Sequence, residues 1–418
     1  FKKYQKISIT LLDKRKKIRQ LHATIIYKKN CEIFNEKLMK KIAILGAGIS
    51  GLFITNLFKK NPNYQITIYE KNTSINLDEG YGVQLSVNSI KLLNEIGFEK
   101  LHNNEKFTPE KINFYSNKSL DKICELDITE FNSEDCKYTT LKRSSLINFL
   151  KTDLEGLIRT GYNISKIDQK DKKIKLSFEN AEVKECDYLI ISDGVFSKSK
   201  SLMSKDEAKP KYNNTLAIRG ILNKSPENID IKNIALFLGS DFHHVIYPVN
   251  PNGDLNFIAI IKYQLSIEEQ KNYSLFSDNS FIKKVLEKFP SRNKSFLDDL
   301  KELKIFPVFV SENFYKLQNN NIHFIGDAFF AFPPSFAQGA SQSIEGAYDL
   351  FKSIENSTES NFFKNRVNKT KMVNIRSKFN QFAFHLSNPL TTFVRNILLK
   401  RLIKNKKFLE SYLGKIYR

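Results

Sequence analysis

The first part of the chain alternates short apolar runs with segments whose apolar positions follow helical spacing. Residues 41–46 (KIAILG) form one apolar run, and the LFITNLF segment after residue 51 has the spacing of a helix. A second run, 65–70 (QITIYE), follows it. Strands that alternate with helices predict a parallel sheet of the α/β class.

The middle of the chain has a different pattern. Residues 201–320 contain four runs in which apolar and polar positions alternate: TLAIRGIL, NIALFLG, HHVIYPV and LNFIAII. Such runs predict an antiparallel sheet, and residues 357–418 return to helical spacing. We therefore expect a nucleotide-binding domain made of 39–200 and 321–356, a β-sheet domain inserted at 201–320, and C-terminal helices.

A glycine motif joins the first strand to the first helix. The strand runs directly into Gly46-Ala47-Gly48-Ile49-Ser50-Gly51. Gly46 permits a tight turn, Gly48 lets the backbone approach a pyrophosphate, and Gly51 lets helix and strand pack closely. Free N–H groups at the helix N-terminus favour phosphate oxygens. The motif predicts dinucleotide binding, and the alternative is a glycine-rich turn in some other α/β protein.

An acidic residue completes this motif. Glu70 ends the second strand, 24 residues after Gly46. Its carboxylate can accept hydrogen bonds from a ribose 2′-OH and would repel a 2′-phosphate. The site is therefore expected to suit FAD or NAD better than NADP.

Two further strands end in an aspartate beside a glycine. Residues 187–194 (DYLIISDG) place Asp193 and Gly194 after an apolar run, and 322–327 (IHFIGD) do the same with Gly326 and Asp327. Ligands of open α/β sheets bind at the carboxyl ends of strands. For either aspartate alone, a helix cap or turn is the favoured interpretation.

The motifs together resemble a known family. The ordered set GAGISG, LKRSSLINFL, DYLIISDGVFSKSK and FIGDAFFAFPPSFAQGASQSIEGA resembles the single-component FAD-dependent hydroxylases, which include para-hydroxybenzoate, salicylate and ubiquinone-pathway hydroxylases. The resemblance extends from about Met39 to about Asn396. It implies a Rossmann-like FAD-binding domain with an inserted antiparallel β-sheet substrate domain and a helical C-terminal tail.

The resemblance also implies a reaction. NADH or NADPH would reduce FAD, O2 would add to give a flavin hydroperoxide, and the terminal oxygen would pass to a small, aromatic substrate. The protein would supply orientation and a dry pocket. Two alternatives stay open: a reductase of a prenyl-type lipid with the same fold, and a non-catalytic FAD-binding protein.

Site residues follow from the resemblance position by position. The three motif glycines would face the FAD pyrophosphate, Glu70 the adenosine ribose and Arg143 the cofactor as well. Asp193 would lie near the pyrophosphate and Asp327 would bond the ribityl chain. Pro333 would lie beside the flavin ring, and the helix N-terminus at Gln338, Gly339 and Ala340 would point at its pyrimidine edge. The sequence departs from the family at three positions, where it has Lys200, Phe330 and Gly346.

Two adjacent histidines lie in the third strand of the middle segment. His243 and His244 would point to opposite faces of that strand. One of them, His244 in our assignment, could reach the active site and deprotonate a phenol. Packing within the sheet is the favoured alternative for this histidine, as it is for Tyr247.

Charge and cysteine content narrow the classes of partner. The net charge is +21 over 418 residues, and residues 1–38 alone carry +8. Lysine-rich composition without a nucleic-acid motif gives no reason to expect DNA or RNA as a partner. The four cysteines form no C-x-x-C pair, so we expect no metal site and no disulfide framework, and a reducing, cytoplasmic setting.

The two ends of the chain leave questions open. Met39 directly precedes the first strand, and we expect residues 1–38 to be a non-essential, non-native basic extension that comes from an over-extended reading frame. A transit peptide is the alternative. Near the other end, Val394, Leu398 and Leu402 follow i, i+4, i+8 spacing in a basic segment. This helix is expected to pack on its own domain, and peripheral contact with an anionic membrane is the alternative.

Overall fold

The computed structural model describes residues 39–75, 77, 81–170, 173–204, 209–222, 229–289, 297–317 and 321–417. The expectation for residues 1–38 falls outside the described residues and stays a prediction.

Strands and helices alternate at the start of the chain, strands predominate in its middle, and helices form its end. The described strands are β1 Lys40–Leu45, β2 Tyr64–Glu70, β3 Gly82–Leu85, β4 Lys106–Phe107, β5 Lys111–Ser116, β6 Lys122–Asp127, β7 Thr139–Lys142, β8 Ile158–Thr160, β9 Ile164–Lys170, β10 Lys173–Phe178, β11 Val183–Cys186, β12 Tyr188–Ile191, β13 Lys211–Leu222, β14 Ile234–Leu238, β15 Phe242–Pro248, β16 Leu255–Lys262, β17 Leu300–Val310 and β18 Ile322–Phe324. The α-helices are α1 Ile49–Phe58, α2 Val87–Asn94, α3 Arg143–Lys151, α4 Lys198–Ser204, α5 Ile267–Lys271, α6 Asn279–Leu286, α7 Gly339–Glu355, α8 Glu359–Phe384, α9 Pro389–Leu402, α10 Lys406–Leu409 and α11 Lys415–Tyr417.

A five-stranded sheet forms the nucleotide-binding half. Its order is β18-β12-β1-β2-β8, and every neighbouring pair is parallel. The strands are apolar because both faces of the sheet are covered, one by helices such as α1 and α7 and the other by strands β9 to β11. The residues Leu52, Phe53 and Ile54 of α1 are fully buried in its core. The carboxyl ends of β1, β12 and β18 therefore meet at one edge, as the sequence predicted.

A seven-stranded sheet forms the second half, in the order β17-β13-β16-β15-β14-β5-β6. The four runs predicted in the middle segment are β13 to β16, and β13-β16-β15-β14 pair antiparallel. The sheet also takes in β5 and β6, which come from within 39–200, and β5 pairs parallel with β14. The chain thus crosses between the two sheets more than once. The predicted α/β fold with an inserted antiparallel sheet and a helical end is confirmed.

The last helices pack against one face of the seven-stranded sheet. Val373 of α8, Leu409 of α10 and Ile416 of α11 belong to one apolar cluster with Phe114 and Leu236 of the sheet. This packing leaves a cavity between the helices, the sheet and the nucleotide-binding half. Across the described residues, we find no helix with the length and apolar character needed to span a membrane.

Candidate functional site

The glycine loop is tightly packed at two positions and open at the third. Gly46 has φ of +100°, and a Cβ there would lie 2.5 Å from the Ser192 carbonyl oxygen. A Cβ on Gly51 would lie 2.1 Å from the Gly46 carbonyl oxygen. No described atom lies within 4 Å of the Cβ position of Gly48. Of these three glycines, Gly48 is therefore the one whose backbone another molecule can approach closely.

Glu70 holds the glycine loop from the end of β2. Its Oε2 atom accepts a hydrogen bond of 2.9 Å from the Ala47 N–H, and its Oε1 atom accepts one of 3.0 Å from the Asn72 N–H. The carboxylate thus stabilises the turn. Its predicted contact with a ribose stays a prediction.

Asp193 caps a helix and keeps one oxygen free for another partner. Its Oδ2 atom accepts hydrogen bonds from the N–H and the hydroxyl of Ser199, at 3.1 and 2.7 Å. Its Oδ1 atom is buried and has no hydrogen-bond partner among the described residues. A buried oxygen without a partner is costly, so this atom fits a ligand that donates a hydrogen bond. The neighbouring Gly194 has φ of +83° and open space at its Cβ position.

Asp327 and the buried Lys200 form the electrostatic centre of the edge. Gly326 precedes the aspartate with φ of +60°, and its Cβ position lies 2.6 Å from the Ser50 hydroxyl. Asp327 is open to the cavity yet surrounded by protein, and this desolvation raises its pKa to about 6, against the opposing charge of Lys200. Burial lowers the pKa of Lys200, and the charges of Asp193 and Asp327 oppose that shift. The buried Lys200 is therefore a shared counter-ion of Asp193 and Asp327.

The start of α7 faces the same cavity. Gly339 and Ala340 line it, so the first turn of a 17-residue helix presents unbonded N–H groups there. Gln338 is buried beneath them, where its Nε2 atom donates to the Ser86 hydroxyl at 3.1 Å. In the loop before the helix Pro333 is buried, and it is the adjacent Pro334 that lines the cavity.

The cavity has a volume of about 790 Å³, within the range of small-molecule sites. Its walls come from the start of α7, one face of the seven-stranded sheet and the C-terminal helices, and they are mainly apolar. Asp327 is the one acidic side chain that lines it in the described part of the chain, whereas three arginines do so: Arg143, Arg219 and Arg395. The electrostatics of the cavity therefore favour anionic groups.

Arg219 projects from the middle of β13 into this cavity. It lies over the rings of Tyr81 and Phe306, at 5.8 and 6.0 Å from their centroids. No carboxylate among the described residues pairs with it. Sequence reasoning missed this residue, although a lone charge within the apolar run TLAIRGIL was a usable signal.

Strand alternation separates the two adjacent histidines. His243 lines the cavity, and its Nδ1 atom lies 2.8 Å from Nε2 of His385. His244 is fully buried on the opposite face, stacked on Phe237 with ring centroids 4.3 Å apart. The expectation that His244 reaches the active site is therefore corrected: the period-2 geometry of β15 turns it into the core, and His243 lines the cavity instead. The pairing with His385 left no signal in the sequence.

Desolvation keeps these histidines neutral. Burial lowers the pKa of His243 well below its ordinary value, and the positive charges of His385 and His244 would act in the same direction. Burial also lowers the pKa of His385 to about 4 and that of His244 to about 3. At neutral pH the cavity wall therefore contains a neutral imidazole, which can donate one hydrogen bond and accept another.

Two departures from the family pattern have packing explanations. Phe330 is buried and stacks on Phe314 with ring centroids 4.3 Å apart. A Cβ at Gly346 would lie 2.9 Å from Nε of the buried Arg366. That arginine is held by Glu345, at 3.2 Å, and by α7 backbone oxygen. Phe330 and Gly346 thus contribute to packing in the core next to the site.

Curated relatives are similar over most of the chain. The 6-hydroxynicotinate 3-monooxygenase of Bordetella bronchiseptica is 22% identical over 329 residues, which cover 75% of this chain and 82% of that protein. A salicylate hydroxylase of Pseudomonas putida is 22% identical over 351 residues, covering 76% and 77%.

Solved structures share the fold. HpxO of Klebsiella pneumoniae, crystallised with FAD and uric acid, superposes with a TM-score of 0.77 at 13% identity, covering 90% of this chain and 96% of that one. A salicylate hydroxylase substrate complex gives 0.73 at 18%, covering 91% and 96%. The FAD binding domain family matches residues 39–359. The chain therefore belongs to the FAD binding domain family, that of the single-component FAD-dependent aromatic hydroxylases, and FAD is its cofactor.

Proposed function

We propose that the protein uses NADH or NADPH and O2 to hydroxylate a small aromatic substrate that carries an ionisable oxygen. The observation that carries this proposal is the meeting of His243 and Arg219 in one apolar cavity with the edge formed by Asp327 and the start of α7. A proton acceptor, a cation and an apolar wall are the groups that a phenolic or carboxylated ring requires.

The edge of the parallel sheet has the features that FAD requires. Gly48, Gly194 and Gly339 leave open space for its phosphates and ring, and the free Oδ1 of Asp193 can accept a hydrogen bond. Asp327 would bond the ribityl chain. When bound, the flavin supplies the two-electron and oxygen chemistry that no protein side chain can provide.

His243 would remove the proton of the substrate hydroxyl. Burial lowers the pKa of this ring, so it is neutral at neutral pH, and the phenolate that forms beside it would stabilise the resulting imidazolium. The bond between its Nδ1 atom and His385 orients the ring. In the tautomer whose Nδ1 carries the proton, Nε2 is the acceptor. A phenolate ring is more electron-rich than a phenol and reacts more readily with an electrophilic oxygen.

Arg219 would orient the substrate. An arginine without a carboxylate partner attracts a carboxylate or phenolate, and the apolar strands beside it would hold the ring and exclude water. The curated relatives are described as acting on hydroxynicotinate and salicylate, both small rings with acidic groups. This similarity supports the same substrate class here.

Localisation in the cytoplasm stays a prediction.

Oxidation of NADH and NADPH by the purified protein, with and without a panel of phenolic and carboxylated rings, tests the proposal. We expect at least one ring to accelerate both nicotinamide oxidation and O2 uptake. Saturation of a double bond without O2 would instead favour the reductase. Bound FAD with no turnover on any ring would favour the non-catalytic binding protein.

A further inference from the structure

Large apolar side chains are exposed along two consecutive helices. In α8 they are spaced at i, i+4 and i+7, and in α9 at i, i+3, i+4, i+7 and i+8, so each helix presents one stripe. We call these residues the apolar stripe: Ile375, Phe379, Phe382, Leu390, Phe393, Val394, Ile397 and Leu398. Their exposed fractions run from 37% for Ile397 to 70% for Leu390. Such continuous exposure marks an interaction surface rather than ordinary scatter.

The α9 helix depends little on its own domain for burial. None of its residues is buried, although it is 14 residues long. Its inner side, with Leu399 and Leu402, lines the cavity, while Leu390 and Phe393 point outward. The expectation that this helix packs on its domain is therefore met by one side only. Its outer side is a second apolar face of the same helix.

The stripe lies in a segment without negative charge. Residues 361–409 contain 12 lysines and arginines and no aspartate or glutamate. Several cations are exposed directly beside the stripe, namely Lys371, Lys378, Lys400, Arg401 and Lys404. An apolar face bordered by lysine and arginine matches a bilayer surface, in which apolar acyl chains lie beneath anionic headgroups.

The wall of the cavity and the apolar stripe share a side chain. Phe379 lines the cavity and is 56% exposed, so one side chain belongs both to the stripe and to the wall of the site. Arg395 lines the cavity from α9, where its Nη1 atom donates to the Ala383 carbonyl oxygen of α8 at 3.3 Å. One wall of the cavity therefore lies at the junction of the two helices, next to the stripe.

We propose that the apolar stripe of α8 and α9 lies on an anionic phospholipid surface. The aromatic and leucine side chains would enter the boundary between headgroups and acyl chains, and the lysines and arginines would contact the headgroups. In this orientation the cavity wall formed by α8 and α9 lies next to the lipid. The substrate would then be an aromatic compound that partitions into membranes, a consequence that rests on the proposed function.

Charge argues against two other occupants of the stripe. Residues 1–38 carry a net charge of +8 and would be repelled by a segment with 12 cations and no anions. A second copy of the chain, paired through the same surface, would place the two positive segments against each other. An anionic bilayer is the partner of opposite charge.

Co-sedimentation of the full FAD-loaded chain with vesicles tests the proposal without any enzymatic turnover. Vesicles of phosphatidylcholine alone would be compared with vesicles in which about 30% of the lipid is phosphatidylglycerol, at low and at high salt. We expect roughly tenfold more binding to the anionic vesicles, and loss of the difference at high salt. Leu390→Ser combined with Phe393→Ser should abolish binding, whereas Lys400→Gln combined with Arg401→Gln should reduce the preference for anionic vesicles.

Matched controls come from exposed residues outside the stripe. Ile267 is 72% exposed on α5, and Lys283 and Lys284 are exposed on α6. Ile267→Ser and the double change of those lysines to glutamine should bind vesicles as the unchanged protein does. Failure to bind anionic vesicles, or equal loss in the controls, would overturn the proposal. A dimer in solution that Phe393→Ser dissociates would overturn it as well. Because binding is measured without substrate, its failure leaves the proposed reaction untouched.

Discussion

The Nδ1 atom of His243 lies 2.8 Å from the Nε2 atom of His385, where strand β15 meets the end of helix α8. The pair links the sheet that lines the cavity to the C-terminal helices that close it. Both rings have lowered pKa values because they are buried. The contact thus stabilises a neutral, oriented imidazole at the cavity wall.

Replacement of His243 tests this role in the proposed reaction. His243→Phe should lower kcat about 100-fold, the lower range for loss of a general base. The deficit should shrink as pH rises toward the pKa of the substrate hydroxyl, because the solvent then forms the phenolate. Steady-state rates between pH 6 and 10 measure it.

The neighbouring histidine is the matched control for this experiment. His244 lies on the opposite face of β15, stacked on Phe237. His244→Phe should therefore leave kcat and its pH profile almost unchanged. Equal losses in the two variants would contradict the assignment to His243.

Because of its buried histidines, we expect the protein to lose free energy of unfolding at acidic pH. In the folded protein burial lowers the pKa of His244 to about 3, whereas the unfolded chain takes up this proton below about pH 6.5. The unfolded state therefore gains protons first as pH falls, and stability present above pH 6.5 is lost below it. His244→Phe removes one such group. When the pH falls from 6.5 to 5, both proteins should lose free energy of unfolding. The loss should be about 2 kcal/mol smaller in His244→Phe than in the unchanged protein.

Urea unfolding at the two pH values measures this difference. His102→Phe, at an exposed position, is the control for replacement of a histidine by phenylalanine. If His244→Phe loses as much stability on acidification as the unchanged chain, the buried histidine does not contribute to it.

The glycine loop predicts opposite outcomes for two alanine substitutions. Gly51→Ala should prevent folding, since its Cβ would lie 2.1 Å from the Gly46 carbonyl oxygen. Gly48→Ala should fold with near-normal thermal stability, because nothing lies within 4 Å, and should bind FAD at least about tenfold more weakly if the cofactor backbone contact is made there. Thermal melts and FAD titration separate the two effects. Gly156→Ala, also in open space, serves as the control and should bind FAD normally.

Arg219 predicts a selective effect on substrate affinity. Arg219→Met keeps most of the side-chain volume over the rings of Tyr81 and Phe306 but removes the cation. KM for an anionic ring substrate should rise about tenfold or more, whereas kcat should change less, because a charge-assisted hydrogen bond is lost. Arg159→Met, at an exposed position, should change neither constant. A kcat loss with unchanged KM would contradict an orienting role.

Local sequence signals predicted the nucleotide-binding edge well. The strand, the glycine motif and the acid at Glu70 lie within 31 residues and form contacts with each other in the structure, such as the 2.9 Å bond between Glu70 and the Ala47 N–H. Asp193 and Asp327 were placed correctly at strand ends because an apolar run followed by a polar residue marks a buried parallel strand. Motifs of this kind are local in the chain.

The substrate side depended on long-range pairing that the sequence does not display. The parallel pairing of β5 with β14 joins residues more than 100 positions apart, and it places the 111–127 segment in the second sheet. The face that His243 takes depends on the register of β15, because a one-residue shift exchanges the two faces. Helix periodicity grouped Val394 with Leu402, but the structure exposes the former and turns the latter to the cavity. Amphipathic spacing shows that a face exists and does not show what covers it.

Isotope tracing with ¹⁸O2 tests the central claim most directly. The purified, FAD-loaded protein would be incubated with NADH or NADPH, ¹⁸O2 and the ring that most accelerates nicotinamide oxidation, and the product would be weighed by mass spectrometry. We predict one ¹⁸O atom in the ring product and consumption of O2 in step with the nicotinamide. A product without ¹⁸O, with all the O2 recovered as hydrogen peroxide for every ring tested, would contradict a monooxygenase.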